Sequence, residues 1–135
     1  RKLYQQLVPL RSPNVRVRGF TKRMMLYMDA ADLFITKAGG LSTTEAIAKR
    51  LPLLYVDAVD GCELRNRDFM IQHGIALHTG DLETIADTVQ LILAHPGVRT
   101  EQMSAMRREF PSCGAARLCR EVIARHNTSG GASEC

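Results

Sequence analysis

The chain of 135 residues contains no tryptophan, and aromatic residues make up only 5% of it. Nucleic-acid-binding proteins commonly stack bases on aromatic side chains, and no RNA- or DNA-binding motif accompanies the net charge of +4 here. These absences argue against a nucleic-acid partner. We interpret most of the arginines after residue 98 as the solvated faces of helices, whereas the cluster at residues 16–23 is suited to an anionic phosphate ligand or an anionic lipid surface.

Long apolar runs are also missing, since none approaches the ~18 residues that a membrane-spanning helix needs. The four cysteines show no Cys-x-x-Cys spacing and the four histidines are scattered, so we expect free thiols and no metal site. This pattern predicts a cytoplasmic location with reduced thiols. The chain begins at Arg1 without a methionine, so we expect that the true N-terminus is missing and that any targeting segment is not visible.

The most informative stretch runs from Leu33 to Glu45, where an apolar strand breaks at Gly39-Gly40 and a helix opens with Ser, Thr, Thr and Glu. Glycine lets a ligand approach the backbone, and the first amides of a helix are unpaired and partly positive. The pattern therefore predicts an anion site, most often for phosphate. An ordinary strand-to-helix turn capped by Ser42 or Thr43 is the alternative, and Glu45 would either cap its own helix or accept hydrogen bonds from a sugar diol.

Hydrophobic periodicity and the breakers divide the chain into alternating elements. We expect one domain over residues 1–126, followed by a disordered tail at 127–135 that is rich in Ser and Gly. The predicted helices lie at residues 1–10, 22–31, 42–50, 62–73, 81–94, 100–109 and 113–126, and the strands at 15–18, 33–36, 53–56 and 75–78.

Strands that alternate with helices predict the α/β class, with a Rossmann-like parallel sheet flanked by helices. Ligands in such sheets bind outside the carboxyl ends of the strands. Three loops leave those ends, at residues 19–22, 36–42 and 57–66, and we expect them to converge on one binding site.

Several of these segments, taken in order, resemble one family: Gly19-Phe20, the run from Met28 to Asp32, Thr36-Lys37-Ala38-Gly39-Gly40-Leu41-Ser42-x-x-Glu45, Leu51-Pro52 and Asp60-Gly61-Cys62-Glu63-x-x-Asn66. They are similar to the C-terminal, donor-binding domain of family 28 glycosyltransferases of the GT-B fold, over about residues 13–125. The family includes the lipid I N-acetylglucosaminyltransferase, the monogalactosyldiacylglycerol synthases and the processive diacylglycerol glucosyltransferases. The Lys-x-Gly-Gly-Leu and Gly-x-Glu-x-x-Asn forms are closer to the diacylglycerol branch.

The resemblance implies a role for each matching position. Backbone groups around Phe20 and Thr21 would read the uracil edge, and Glu45 would bind the ribose hydroxyls. Glu63 and Asn66 would hold hydroxyls of the donor sugar, while the charge of Lys37 could reach the phosphates or point to solvent. Amides and hydroxyls at the glycine turn and helix start would bind the diphosphate, from Gly39, Gly40, Leu41, Ser42 and Thr43.

Two departures from the family pattern concern the site. Cys62 stands where the family often has Gln, which leaves the donor preference open, and Ser42 stands where Thr is usual. The resemblance also implies that two strands, a glycine-rich loop and the acceptor-binding N-terminal domain with the general base would precede Arg1. We therefore expect an N-terminally truncated half of a GT-B fold that is inactive alone, with the catalytic residues unknown.

The implied reaction transfers a hexose from a UDP-sugar to the hydroxyl of a lipid-linked or diacylglycerol acceptor, with no cofactor and no metal. Asp57 and Asp60 do not form an Asp-x-Asp motif, and we interpret them as solvated loop residues. A non-catalytic nucleotide-sugar-binding subunit of a split glycosyltransferase is the alternative function, and a UDP-sugar epimerase is a weaker one.

A lipid acceptor raises the question of a membrane surface. The early basic cluster and Met24, Met25 and Met28 would suit peripheral docking to anionic lipid. Methionine also fills irregular gaps in protein cores, and we favour this second interpretation for all three side chains.

Overall fold

The computed structural model describes residues 2–57, 61–111 and 114–129. Within these ranges the chain forms α-helices around a three-stranded parallel sheet, with 3₁₀ turns at Val8–Leu10 and Leu82–Thr84. The helices are α1 (Lys2–Leu7), α2 (Met24–Asp29), α3 (Gly40–Lys49), α4 (Cys62–Gln72), α5 (Ile85–Ala94), α6 (Pro96–Glu109) and α7 (Gly114–Ser129). The strands are β1 (Phe34–Lys37), β2 (Leu53–Asp57) and β3 (Ala76–His78).

The sheet has the order β1-β2-β3, so β2 lies in the centre. Ile35 pairs with Leu54, and Leu54 pairs with Leu77. Leu53, Leu54 and Tyr55 are all fully buried, because helices cover both faces of a parallel sheet. The α/β class with a parallel Rossmann-like sheet, predicted from the alternating pattern, is confirmed.

Helices α3 and α6 are joined to each other and to the sheet by polar side chains. Arg50 ends α3 in the left-handed conformation, with a φ of 57°, and donates hydrogen bonds to the carbonyls of Met106 (2.9 Å) and Phe110 (2.9 Å). Gln102 of α6 is buried and bonds both backbone groups of Leu53. The core lies between these contacts and includes Ala46, Ile47, Leu51, Ile75, Ala105 and Met106.

The strand expected at Val15–Arg18 is wrong. Its one bridge joins Val15 to Ser12 in a local antiparallel turn, and Val15 is half-exposed. A strand needs a neighbouring strand for its backbone groups, and alternation of apolar and charged residues does not supply one. The remaining predicted strands are confirmed to within one residue.

Two further expectations require correction. Met28 is buried as predicted, but Met24 and Met25 are 45% and 46% exposed, because α2 is short and turns one side to the core. Pro96 does not separate two helices by a loop but begins α6, where its missing N–H costs nothing.

The predicted tail falls partly within a helix, since α7 continues to Ser129. Residues 130–135 lie outside the described residues. In the part of the chain that is described, no helix combines the length and apolar character that crossing a membrane requires.

Candidate functional site

The carboxyl end of β1 turns sharply into α3 at the two glycines. The amide of Gly39 donates to the carbonyl of Lys37 at 2.8 Å, and the first bond of the helix runs from the amide of Thr43 to the carbonyl of Gly39 at 3.1 Å. Among the described residues, the amides of Gly40, Leu41 and Ser42 have no acceptor. Unpaired amides at the positive end of a helix are suited to an anion.

The side chains of this helix start do not all face outward. Leu41 is 84% exposed and Ser42 is partly exposed, whereas Thr43 is 2% exposed. The Thr43 hydroxyl lies 2.9 Å from the hydroxyl of Tyr55 in β2. The 3.6-residue period of the helix thus directs the Thr43 side chain into the core, and the contact of Thr43 with a diphosphate stays a prediction.

Burial raises the pKa of the Tyr55 phenol, and the hydrogen bond with Thr43 opposes that effect. One feature of the sequence indicates this pair: a tyrosine lies within an otherwise apolar strand, and its hydroxyl needs a hydrogen-bond partner when it is buried. The partner itself lies twelve residues earlier in the chain.

Glu45 lies in the second turn of α3 and is exposed. The N-cap position is Gly39, and no side chain caps this helix, so the expectation that Glu45 caps its own helix is excluded. Its carboxylate makes no hydrogen bond or ion pair with the described residues, and it remains open to a ligand.

Helix α4 brings the second motif against the same loop. Gly61 precedes it with a φ of 94° and a ψ of −116°, a conformation that side chains with a Cβ rarely adopt. Glu63 and Asn66 are three residues apart and so share one face of α4. The Asn66 amide lies 3.4 Å from the carbonyl of Ala38, and a Glu63 carboxylate oxygen lies 2.7 Å from the Lys37 ammonium.

Two of the three predicted loops therefore meet, at Lys37–Ser42 and at the start of α4. Phe20 and Thr21 instead line a separate cavity of about 650 Å³ beside the N-terminal segment. Phe20 is 94% exposed, and the Thr21 hydroxyl accepts a hydrogen bond from the amide of Arg23 at 3.0 Å. No residue of α3 or α4 lines this cavity, so convergence of the third loop remains a prediction.

The described residues contain no group of three or more His, Cys, Asp or Glu side chains that could hold a metal ion. Cys62 and Cys119 are free and exposed. Asp60, interpreted above as a solvated loop residue, lies outside the described residues.

Comparison with known proteins identifies the family of this chain. Residues 1–106 match the glycosyltransferase family 28 C-terminal domain. A processive diacylglycerol beta-glucosyltransferase of Staphylococcus carnosus is 29% identical over 119 residues, which cover 82% of this chain and 28% of that protein. Proteins with the same name from Staphylococcus saprophyticus and Staphylococcus aureus are 27% and 26% identical, with the same coverage.

The chain thus spans little more than a quarter of the length of these relatives. The matched residues include β1, the glycine turn, α3 and the Gly61–Asn66 segment. The chain belongs to the glycosyltransferase family 28 C-terminal domain family.

Proposed function

We propose that this chain is the UDP-sugar-binding part of a hexosyltransferase that transfers a sugar to a lipid-linked or diacylglycerol acceptor. Family membership supports a glycosyltransferase, and the names of the staphylococcal relatives support a glycolipid product. We specify the donor sugar only as a hexose, because Cys62 stands where the family often has Gln.

One observation carries the proposal: the unpaired amides of Gly40, Leu41 and Ser42 lie next to a loop that Glu63 and Asn66 also contact. The amides offer an anion site, and the acidic and amide side chains offer partners for hydroxyl groups. A diphosphate bonded to a sugar needs both kinds of partner side by side.

The same arrangement suits the reaction. Transfer of the hexose leaves negative charge on the departing UDP, and preorganised donors that meet developing charge lower the barrier. The amides at the start of α3 would supply these donors without any change of backbone conformation. Glu45 would bind the ribose hydroxyls from the next turn, and the backbone at Phe20 and Thr21 would read the uracil.

None of the side chains given a role here acts as a general base toward the acceptor. We propose that the base and the acceptor site come from another part of a longer protein or from a partner chain. Under this proposal the 135-residue chain binds UDP weakly and does not catalyse transfer alone.

A lipid acceptor requires access to a membrane surface. Met24, Met25 and Leu26 are exposed on α2, and Arg23 directly precedes them. Exposed apolar side chains beside a basic residue suit peripheral contact with an anionic membrane from the cytoplasmic side.

Calorimetry of UDP binding to the 135-residue chain and to its Glu45→Ala variant tests the donor site. Loss of a carboxylate that accepts ribose hydroxyls should weaken binding by about 1–3 kcal/mol. Glu101→Ala is the matched control, because Glu101 is an exposed glutamate on α6.

Equal effects of the two substitutions would remove Glu45 from the site. A folded wild-type chain that shows no UDP binding would contradict the proposal for this chain.

A further inference from the structure

We propose that Lys37 is a positioning residue that holds the Glu63 carboxylate for recognition of the donor sugar, and is not a ligand of the phosphates. The inference depends on the proposed function, because it concerns the same UDP-sugar site. It assigns sugar-dependent affinity to the ion pair between Lys37 of β1 and Glu63 of α4, which are 26 residues apart in the chain.

The two members of this pair differ in exposure. The Lys37 ammonium lies 2.7 Å from Glu63 Oε1, and the side chains are 57% and 19% exposed respectively. A mostly buried carboxylate loses hydration and requires charged or hydrogen-bonding partners, whereas an exposed lysine does not. The pair therefore constrains Glu63 more than it constrains Lys37.

Each member of the pair stands at one end of its element, Lys37 as the last residue of β1 and Glu63 in the first turn of α4. The pairing of β1 with β2 passes from Thr36–Tyr55 to Lys37–Asp57, so the register shifts immediately before Lys37. The extra residue at this shift, Val56, lies in β2, and such an irregularity bends the sheet locally at the end where Lys37 lies. Glu63 is the second residue of α4, where the positive end of the helix favours a carboxylate.

The held carboxylate lies against the glycine turn. A Cβ placed on Gly39 would be 3.7 Å from Glu63 Oε1, so the carboxylate borders the backbone that leads into α3. A sugar attached to a phosphate at the start of α3 would therefore lie beside this carboxylate. Its hydroxyl groups are the donors that a carboxylate accepts.

Lys37 itself is expected to contribute little to binding of the phosphates. Its charge is already opposed by Glu63 at hydrogen-bond distance, so the pair presents little net charge to a diphosphate. The unpaired amides of Gly40 and Leu41 supply the anion's donors instead. Loss of Lys37 should thus weaken binding of the sugar more than binding of UDP.

The test compares the dissociation constants of UDP, UDP-glucose and UDP-galactose for the wild-type chain and for Lys37→Met. We expect Lys37→Met to weaken binding of the UDP-hexose that the wild type prefers about tenfold more than it weakens binding of UDP. A difference of this size corresponds to the loss of one hydrogen bond to a charged group. Lys37→Arg should restore most of this difference, because the charge is retained.

A second test combines Lys37→Met with Glu63→Gln. If Lys37 acts through Glu63, Lys37→Met should change the ratio of UDP-hexose to UDP affinity no further once Glu63 is replaced. Lys49→Met is the matched control, since Lys49 forms an ion pair with Asp29 away from the glycine turn. Thermal melting of each variant reports whether it is folded.

Each result decides between the two assignments of Lys37. Equal weakening of UDP and UDP-hexose by Lys37→Met, or additive effects with Glu63→Gln, would overturn the inference while leaving the donor site intact. No UDP binding by the folded wild-type chain would instead remove the proposed function, and the inference with it.

Discussion

Replacement of Gln102 by Met should destabilise the fold strongly, although the residue lies outside the candidate site. The amide of Leu53 donates to Gln102 Oε1 at 3.1 Å, and Gln102 Nε2 donates to the carbonyl of Leu53 at 3.0 Å. Gln102 is 3% exposed and Leu53 is fully buried, so water cannot replace these bonds. Methionine has a similar length and flexibility but carries neither polar atom.

The magnitude follows from the two backbone groups that lose a partner. A buried donor or acceptor left without its bond costs about 1–3 kcal/mol, and burial of the methionine side chain offsets part of the sum. We expect the free energy of unfolding to fall by about 2–4 kcal/mol, a large part of the ~5–15 kcal/mol typical of a domain.

Urea unfolding followed by circular dichroism measures this loss. Gln72→Met on the exposed face of α4 is the matched control and should change stability by less than about 0.5 kcal/mol. A loss below about 1 kcal/mol for Gln102→Met would refute the reasoning, because it would mean that the backbone of Leu53 finds other partners.

Two other predictions concern Tyr55 and the exposed residues of α2. The raised pKa of Tyr55 means that the unfolded chain loses this proton first, so stability should decline as the pH rises above 10. Tyr55→Phe should reduce that decline in pH-dependent melting; an unchanged slope would show that other groups cause it. The proposed membrane contact predicts that the chain floats with anionic liposomes. Met25→Ser or high salt should reduce the fraction that floats. Flotation with neutral liposomes but not with anionic ones would contradict the proposal.

Much of the candidate site was predictable because its motifs are local. Gly39-Gly40 between an apolar strand and a hydroxyl-rich segment marks the strand-to-helix turn, and Glu63 and Asn66 share a helix face by their spacing alone. The structure confirms both elements and brings them together, as expected for loops at one edge of a parallel sheet.

The missed contacts share a physical cause. Gln102 looks like an ordinary helical polar residue in sequence, since its partner is the backbone of a strand 49 residues away. Val15–Arg18 has the alternation of a strand but no neighbouring strand among the described residues. A pattern of side chains reports which face a residue occupies, and not which distant group will meet it.

The sequence by itself determined the alternation of helices and strands, the burial of Leu53 to Tyr55 and the unpaired amides at the start of α3, because these depend on periodicity and glycine. Only the tertiary structure decided that Thr43 bonds Tyr55 and that Lys37 pairs with Glu63. Those pairings depend on how α3, α4 and the sheet lie against one another, and the packing of separate elements is not encoded in the local pattern of any one of them.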